Sequence, residues 1–301
     1  MSSQRYDQLI ADLRSDYRPQ REWGEGKGVL MVAGHFLVGV AGGTWLMSSI
    51  YDVPVGLTVA FALGCLGAIA HLLFLGKPMR AFKMVRHLRT SWISRGFVGL
   101  SMFLVGSGMW LAIYFLGLGG PWLPLALFAK ALAAIGTVII IGYMGFCYTA
   151  SKGIPFWQSP LHPALYIAYA LRGGIAALLV ISAVTGVLPG DWLLQLWIGI
   201  TTVVCLFFVL ELHGAATGGN VAARRSVHDM LAGRLAHLFY GGTLTIGLLV
   251  PLLLLVLPSA PSATTMALIG LTSAASDFFM KLSTVRAGVY LPLRRIPQTA
   301  T

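Results

Sequence analysis

Several titratable side chains stand inside runs that are otherwise apolar: His35, His71, Glu211, His213, His237, Asp277 and Lys281. Such groups are expensive in apolar surroundings and mark functional positions by default. Imidazoles and carboxyls together hold and pass protons, and histidine does so near neutral pH. The chemistry they suit is proton exchange with a bound molecule. Cysteine offers no competing chemistry, because Cys65, Cys147 and Cys205 all lie in apolar runs with no CxxC or CxxCH spacing. That pattern argues against iron–sulfur ligation and covalent haem in this chain.

The elements that must position these residues follow from composition. Of 301 residues, 57% are hydrophobic and only 10% are charged, against about 25% charged in a soluble domain. Mean hydropathy is +0.80, and the apolar residues fall in runs of about 20, the length of a membrane-crossing helix. The reading is an all-α integral membrane protein with eight transmembrane helices, at 29–50, 55–76, 96–117, 122–149, 164–187, 192–213, 235–257 and 262–283, arranged as two four-helix bundles. Pro54, Gly119-Gly120-Pro121, Pro189-Gly190 and Pro258 with Pro261 mark short turns that alternate with longer polar loops.

Charge placement tests that division and orients it. Lys and Arg number five before the first span, six after span 2, one after span 4, three after span 6 and four from Lys281 onward, and none lie in the short turns. By the positive-inside rule both termini and all long loops face the cytoplasm, in the bacterial cytoplasmic (inner) membrane. The net charge of +11 therefore reflects topology, and no nucleic-acid partner is expected. Three regions result: a polar segment at 1–28, the membrane domain at 29–283 and a tail at 284–301. The first is not a cleavable signal peptide in character. Its Tyr6, Leu9, Ile10, Leu13 and Tyr17 follow a helical rhythm. A second amphipathic helix is expected over 77–95, where Met79, Phe82, Val85, Leu88 and Trp92 recur at steps of three or four. Its basic face suits anionic lipid or an acidic protein surface.

With that orientation the ionisable residues gather in the cytoplasmic third. Such one-sidedness argues against a path through the membrane and suits a site exchanging protons with one face. A quinone head group needs this arrangement: apolar walls, hydrogen-bond partners for two oxygens, and groups that take or give protons. His35, His71 and Asp277 are the candidates. Asp277 and Lys281, one turn apart, are expected to neutralise each other, and Glu211 with His213 to form a solvated helix end. Lys130 and Arg172 are expected to meet backbone carbonyls or close a cavity. Trp45, Trp110, Trp122, Trp192 and Trp197 are assigned to interfacial belts. A haem b quinone-reactive subunit is an alternative reading, since His35 with His71 or His237 could supply two ligands at one depth, but no second pair stands in the other leaflet to make a transmembrane haem chain. No haem is expected. A small-anion transporter using Arg172 and Lys130 is the remaining alternative, although the two halves of the chain show no internal repeat.

Leu75-Gly76-Lys77-Pro78-Met79-Arg80-Ala81-Phe82 and Leu88-Arg89-Thr90-Ser91-Trp92-Ile93-Ser94-Arg95 resemble the HLGxPxRAF and RTSWxSRE segments of membrane anchors of DMSO-reductase-type molybdoenzymes, the DmsC group, related to the NrfD and polysulfide reductase anchors. Ile154-Pro155-Phe156-Trp157-Gln158-Ser159-Pro160-Leu161 resembles their loop after span 4, and the run from Lys281 to Leu293 resembles their ending. The resemblance implies a complex of this anchor, a four-cluster iron–sulfur subunit and a molybdopterin catalytic subunit, with menaquinone or ubiquinone bound by the anchor. Carried over by position, Gly76, Pro78, Arg80 and Phe82 match the quinol-associated motif. The histidine of that motif is Phe74 here, and His71 lies one turn earlier on nearly the same face. Cytoplasmic docking of the partners favours a quinone-reducing sulfite dehydrogenase over a periplasmic polysulfide or tetrathionate reductase, with a DMSO or other S- or N-compound reductase anchor as the alternative.

Overall fold

A computed structural model describes residues 3–256 and 262–292. The turn read at Pro258 and Pro261 lies outside the described residues, as does the tail beyond residue 292. Ten helices account for most of the described residues: α1 Ser3–Arg14, α2 Gly28–Ile50, α3 Pro54–Leu75, α4 Trp92–Phe115, α5 Leu123–Thr149, α6 Leu161–Thr185, α7 Gly190–Thr217, α8 Val221–Leu231, α9 Leu238–Val256 and α10 Ala263–Arg286. Among the described residues the only extended pairing is an isolated bridge between Pro19 and Val289.

Seven helices, α2 to α7 and α9, are long and apolar enough to cross a membrane. α10 has 24 residues but is less apolar, because it carries Ser273, Ser276, Asp277 and Lys281. All four are buried against other helices, so their polarity is directed into the protein and not toward lipid. Helices α2, α3, α4 and α5 pack in sequence around one another, and α6, α7, α9 and α10 form a second group. The seam between the groups is α2 against α6, and these are the two most deeply buried of the seven apolar helices.

Close approach at that seam depends on glycine. A Cβ on Gly43 would stand 1.8 Å from the Ala170 carbonyl oxygen, and one on Gly174 would stand 2.2 Å from the Gly43 carbonyl carbon. Without a hydrophobic drive between helices in lipid, such backbone contact is a main source of association.

The 77–95 region differs from the expected single amphipathic helix. Pro78–His87 forms a 3₁₀ helix, entered through Gly76, whose φ of +66° ends α3 in the left-handed conformation. Three residues per turn stack side chains at i and i+3, and the spacing of Met79, Phe82 and Val85 is three. The following helix starts at Trp92, four residues before the expected span. Arg95 caps the intervening turn by donating to the carbonyls of Leu88 (3.0 Å) and Arg89 (2.9 Å), with its guanidinium over the Trp92 ring.

The segments before α2 and after α10 meet on one face. Gln20 N–H donates to the Gly288 carbonyl at 2.7 Å, Tyr290 N–H to Arg18 at 2.9 Å and Leu291 N–H to Gly153 at 2.9 Å. Trp157, from the loop after α5, stacks on Trp23 and donates its indole N–H to the Thr284 carbonyl at 3.0 Å. α1 projects from this face with Tyr6, Leu9 and Leu13 exposed, held by the Asp12–Arg21 ion pair. It ends before Tyr17.

Replacing Gly174 with valine forces the α2–α6 backbones apart. The expected result is loss of the folded monomer from detergent extracts by size-exclusion chromatography, whereas valine at Gly199, beside which an added Cβ meets no atom within 4 Å, should leave the elution unchanged.

Candidate functional site

His35 and His71 face each other across α2 and α3, their rings edge to face with centroids 5.0 Å apart. Each histidine has a tyrosine partner from α5. His35 Nδ1 lies 2.9 Å from the Tyr148 hydroxyl, and His71 Nε2 lies 3.3 Å from the Tyr143 hydroxyl. Local sequence explains the fit: a Cβ on Gly34 would come within 2.2 Å of His71 Nδ1, and one on Gly96 within 2.2 Å of the Tyr143 ring. Two glycines thus seat the two rings. His35 and Tyr148 are buried, and His71 is half-buried beside the exposed Leu72 and Leu73.

Aromatic contacts extend the cluster into α6. The Tyr148 ring lies 5.3 Å from Tyr166 and 5.7 Å from His162, centroid to centroid, and His162 lies 4.8 Å from Tyr166. His162 Nδ1 pairs with a carboxylate oxygen of Glu211 on α7. Glu211 is 2% exposed, so the expected solvated helix end is corrected. The α7 helix runs on to Thr217, which places Glu211 inside the bundle instead of at its rim. His213 and His237 are exposed.

Asp277 also has a different partner from the one expected. It pairs with Arg172 on α6, not with Lys281. The guanidinium reaches three helices at once, donating from Nε to Thr201 Oγ1 at 3.1 Å, from Nη1 to Asp277, and from Nη2 to the Gly247 carbonyl at 2.9 Å. An ammonium has no comparable planar fork. Lys281 Nζ instead lies over the Tyr166 ring, 5.1 Å from its centroid. Arg172 stands 11 residues into α6, about 16 Å from its start at 1.5 Å per residue. Asp277, expected near the end of its span, therefore meets Arg172 about halfway along both helices.

The structure brings His35 and His71 together and places Asp277 in the second bundle. Gly76, Pro78, Arg80 and Phe82 form the end of α3 and the 3₁₀ helix, where Arg80 and Phe82 are exposed and the Phe82 ring lies edge-on to Phe97. Lys130 is exposed near Trp110. Trp45 and Trp197, assigned to interfacial belts, are instead 2% and 1% exposed, and Trp197 donates its indole N–H to Ser273 Oγ at 2.7 Å. Tyr143, Tyr148 and Tyr166 carry no signal in the sequence that sets them apart from an apolar run. His162 falls just outside the span expected from 164, whereas α6 begins at Leu161.

A model of the polysulphide reductase NrfD family matches residues 26–289. This chain belongs to that family. The likeness read from the loop motifs is borne out across most of the chain. The chain is 26% identical over 219 residues to Protein NrfD of Escherichia coli strain K12, covering 65% of this chain and 68% of that protein. It is 31% identical over 125 residues to a Protein NrfD homolog of Haemophilus influenzae, covering 38% of this chain and 37% of that protein. As an NrfD-family chain with seven apolar helices of membrane-crossing length, it is a multi-pass membrane protein.

Breaking a buried ion pair leaves one charge uncompensated, at about 3–5 kcal/mol, whereas replacing both partners by apolar residues is close to neutral. Asp277→Ala should therefore destabilise the protein by about that amount. The double variant Arg172→Met/Asp277→Leu should recover most of the loss, as read from denaturation in mixed micelles.

Proposed function

We propose that this chain is the quinone-reactive membrane subunit of a molybdopterin and iron–sulfur oxidoreductase. It exchanges electrons between menaquinone or ubiquinone and a four-cluster iron–sulfur subunit, which docks together with the molybdopterin subunit on the cytoplasmic face. The observation that carries this reading is the pairing of His35 with Tyr148 and His71 with Tyr143. Two neutral donor–acceptor pairs close together suit the two oxygens of a quinone ring, and each histidine can take a proton while its tyrosine keeps it oriented. The half-buried His71 and its exposed leucine neighbours give a lipid-soluble ring a way in from the bilayer.

In this reading α10 is an eighth span. Its 24 residues extend about 36 Å, enough for the hydrocarbon core. An even number of crossings agrees with the backbone pairing of the segments before α2 and after α10. The basic loops then orient that shared face toward the cytoplasm of a bacterial inner membrane. Arg80 and the exposed 3₁₀ helix sit on the same face, where they suit an acidic docking surface or anionic lipid. A catalytic partner on that side works on a cytoplasmic sulfur or nitrogen compound, and sulfite oxidation fits this sidedness. Membership in the family supports an electron-transfer role, and the neutralisation of Arg172 by Asp277 weighs against anion transport.

Purification of the tagged chain from its native membrane tests the assembly. Two soluble subunits, iron and molybdenum should copurify, and the chain itself should add no haem absorption. Binding tests the site: Tyr148→Phe removes one hydroxyl, worth about 1.4 kcal/mol, and should weaken binding of a fluorescent alkyl-hydroxyquinoline N-oxide about tenfold. Unchanged binding in Tyr148→Phe and in His35→Ala would rule the site out.

Orientation is checked separately by cysteine labelling of intact cells and inverted vesicles. A cysteine at Lys83 should react only from the cytoplasmic side and one at Gly119 only from the opposite side.

A further inference from the structure

We propose that protons leaving or entering the quinone site pass through His162 and Glu211 to a cavity on the cytoplasmic face. This route rests on the quinone reading of the His35–Tyr148 pair, and its Tyr166 also meets Tyr169 and Lys281, which border the Arg172–Asp277 network. Oxidation of a quinol breaks two O–H bonds and releases two electrons and two protons. The electrons go singly to the iron–sulfur subunit. The protons need their own carriers, because His35 and Tyr148 are enclosed by α2, α5 and α6 and neither reaches bulk water. Reduction of a quinone runs the same steps backwards.

The geometry points to one direction. From His35 the hydrogen bond leads to Tyr148, and the Tyr148 ring packs on both Tyr166 and His162. His162 is bonded through Nδ1 to Glu211. His162 is 0% and Glu211 is 2% exposed. His162 Nε2, Tyr166 Oη and Glu211 Oε2 are buried and have no protein hydrogen-bond partner. An unpaired polar atom in a folded interior calls for an explanation, and polar sites of this kind are the ones water occupies. Phenol, imidazole and carboxyl are groups that can each take up and give back a proton, which are the parts of a relay.

Glu211 is also where the line reaches the outside. It lines a cavity of about 400 Å³ together with Gln158, Leu161, Leu210, Gly214 and Asn220. That volume holds on the order of ten waters at about 30 Å³ each. The cavity lies between the loop after α5, the end of α7 and the start of α8, which is the side carrying Lys152 and the basic residues of α8. A histidine–carboxylate pair that borders a cavity large enough for water can accept a proton from within and pass it to water there. Glu211 and His162 do not touch the quinone in this scheme. They carry its protons.

The test uses the intact complex in native membranes with Glu211→Gln, which keeps the size and the hydrogen bond to His162 but cannot carry a proton. Alkyl-hydroxyquinoline N-oxide binding should stay within twofold of the wild type. Turnover with a short-chain quinol should fall at least tenfold, with a larger solvent deuterium isotope effect. Added formate, small enough to enter the cavity, should restore part of the rate, a result that a purely structural role for Glu211 would not produce. Wild-type turnover in Glu211→Gln would overturn the route, as would a slow variant that also loses inhibitor binding in proportion. If His35→Ala and Tyr148→Phe bind the inhibitor normally, the quinone site itself fails and the route falls with it. That outcome is distinct from one in which the site binds normally and only the proton path is wrong.

Discussion

Hydrocarbon supplies no hydrogen-bond partner, so polar side chains that enter the bilayer are held on helix faces turned into the protein. The rest of this structure follows from how α6 meets that constraint. One helix carries His162, Tyr166, Tyr169 and Arg172, four polar side chains on the face turned toward other helices, and all four are buried. α6 therefore cannot lie at the edge of the bundle. It must be enclosed, and Gly174 against Gly43 lets α2 come close enough to enclose it. The tyrosines of α5 and the carboxylates of α7 and α10 are then brought to α6 by the same packing that excludes lipid from it.

α9 shows the same constraint acting on the backbone. Leu238–Leu249 is wound as a π-helix, which passes into ordinary helix at Val250. Pro251 has no N–H to offer the carbonyl of Gly247 one α-turn earlier, and that carbonyl accepts from Arg172 Nη2 instead. The Thr243 carbonyl in the same segment accepts from Ser276 Oγ at 3.0 Å. Irregular helix in a membrane survives where neighbouring side chains take up the freed groups. Here two side chains from two different helices do so, which ties α6, α9 and α10 into one unit around the Arg172–Asp277 pair.

Much of the architecture was legible in the sequence because it follows from composition and one-dimensional order. Apolar run lengths located the helices, and charge placement separated long loops from short turns. Pairings between distant residues were not legible. Asp277 has Lys281 one turn away, and sequence proximity makes that pair the obvious one; its partner is Arg172, 105 positions earlier. Tyr143 and Tyr148 look like ordinary residues of an apolar run, and only the approach of α5 to α2 and α3 gives their hydroxyls histidine partners. His162 could have been found from sequence, since it is a histidine within one turn of a span like His71. A boundary set three residues too late concealed it.

The loop motifs that carry the family likeness are themselves mostly packing devices. Phe156 and Trp157 are each 1% exposed, and a Cβ on Gly288 would stand 2.8 Å from the Trp157 ring. The loop after α5, the segment before α2 and the segment after α10 are therefore locked together through Trp23, Trp157 and the Thr284 carbonyl. Two consequences follow from one contact. Locking these segments fixes the start of α6, and with it the positions of His162 and Tyr166 relative to Tyr148. The same contact ties the ends of the chain's described membrane core to that loop, so the residues that join these segments also hold the histidine–tyrosine cluster in place.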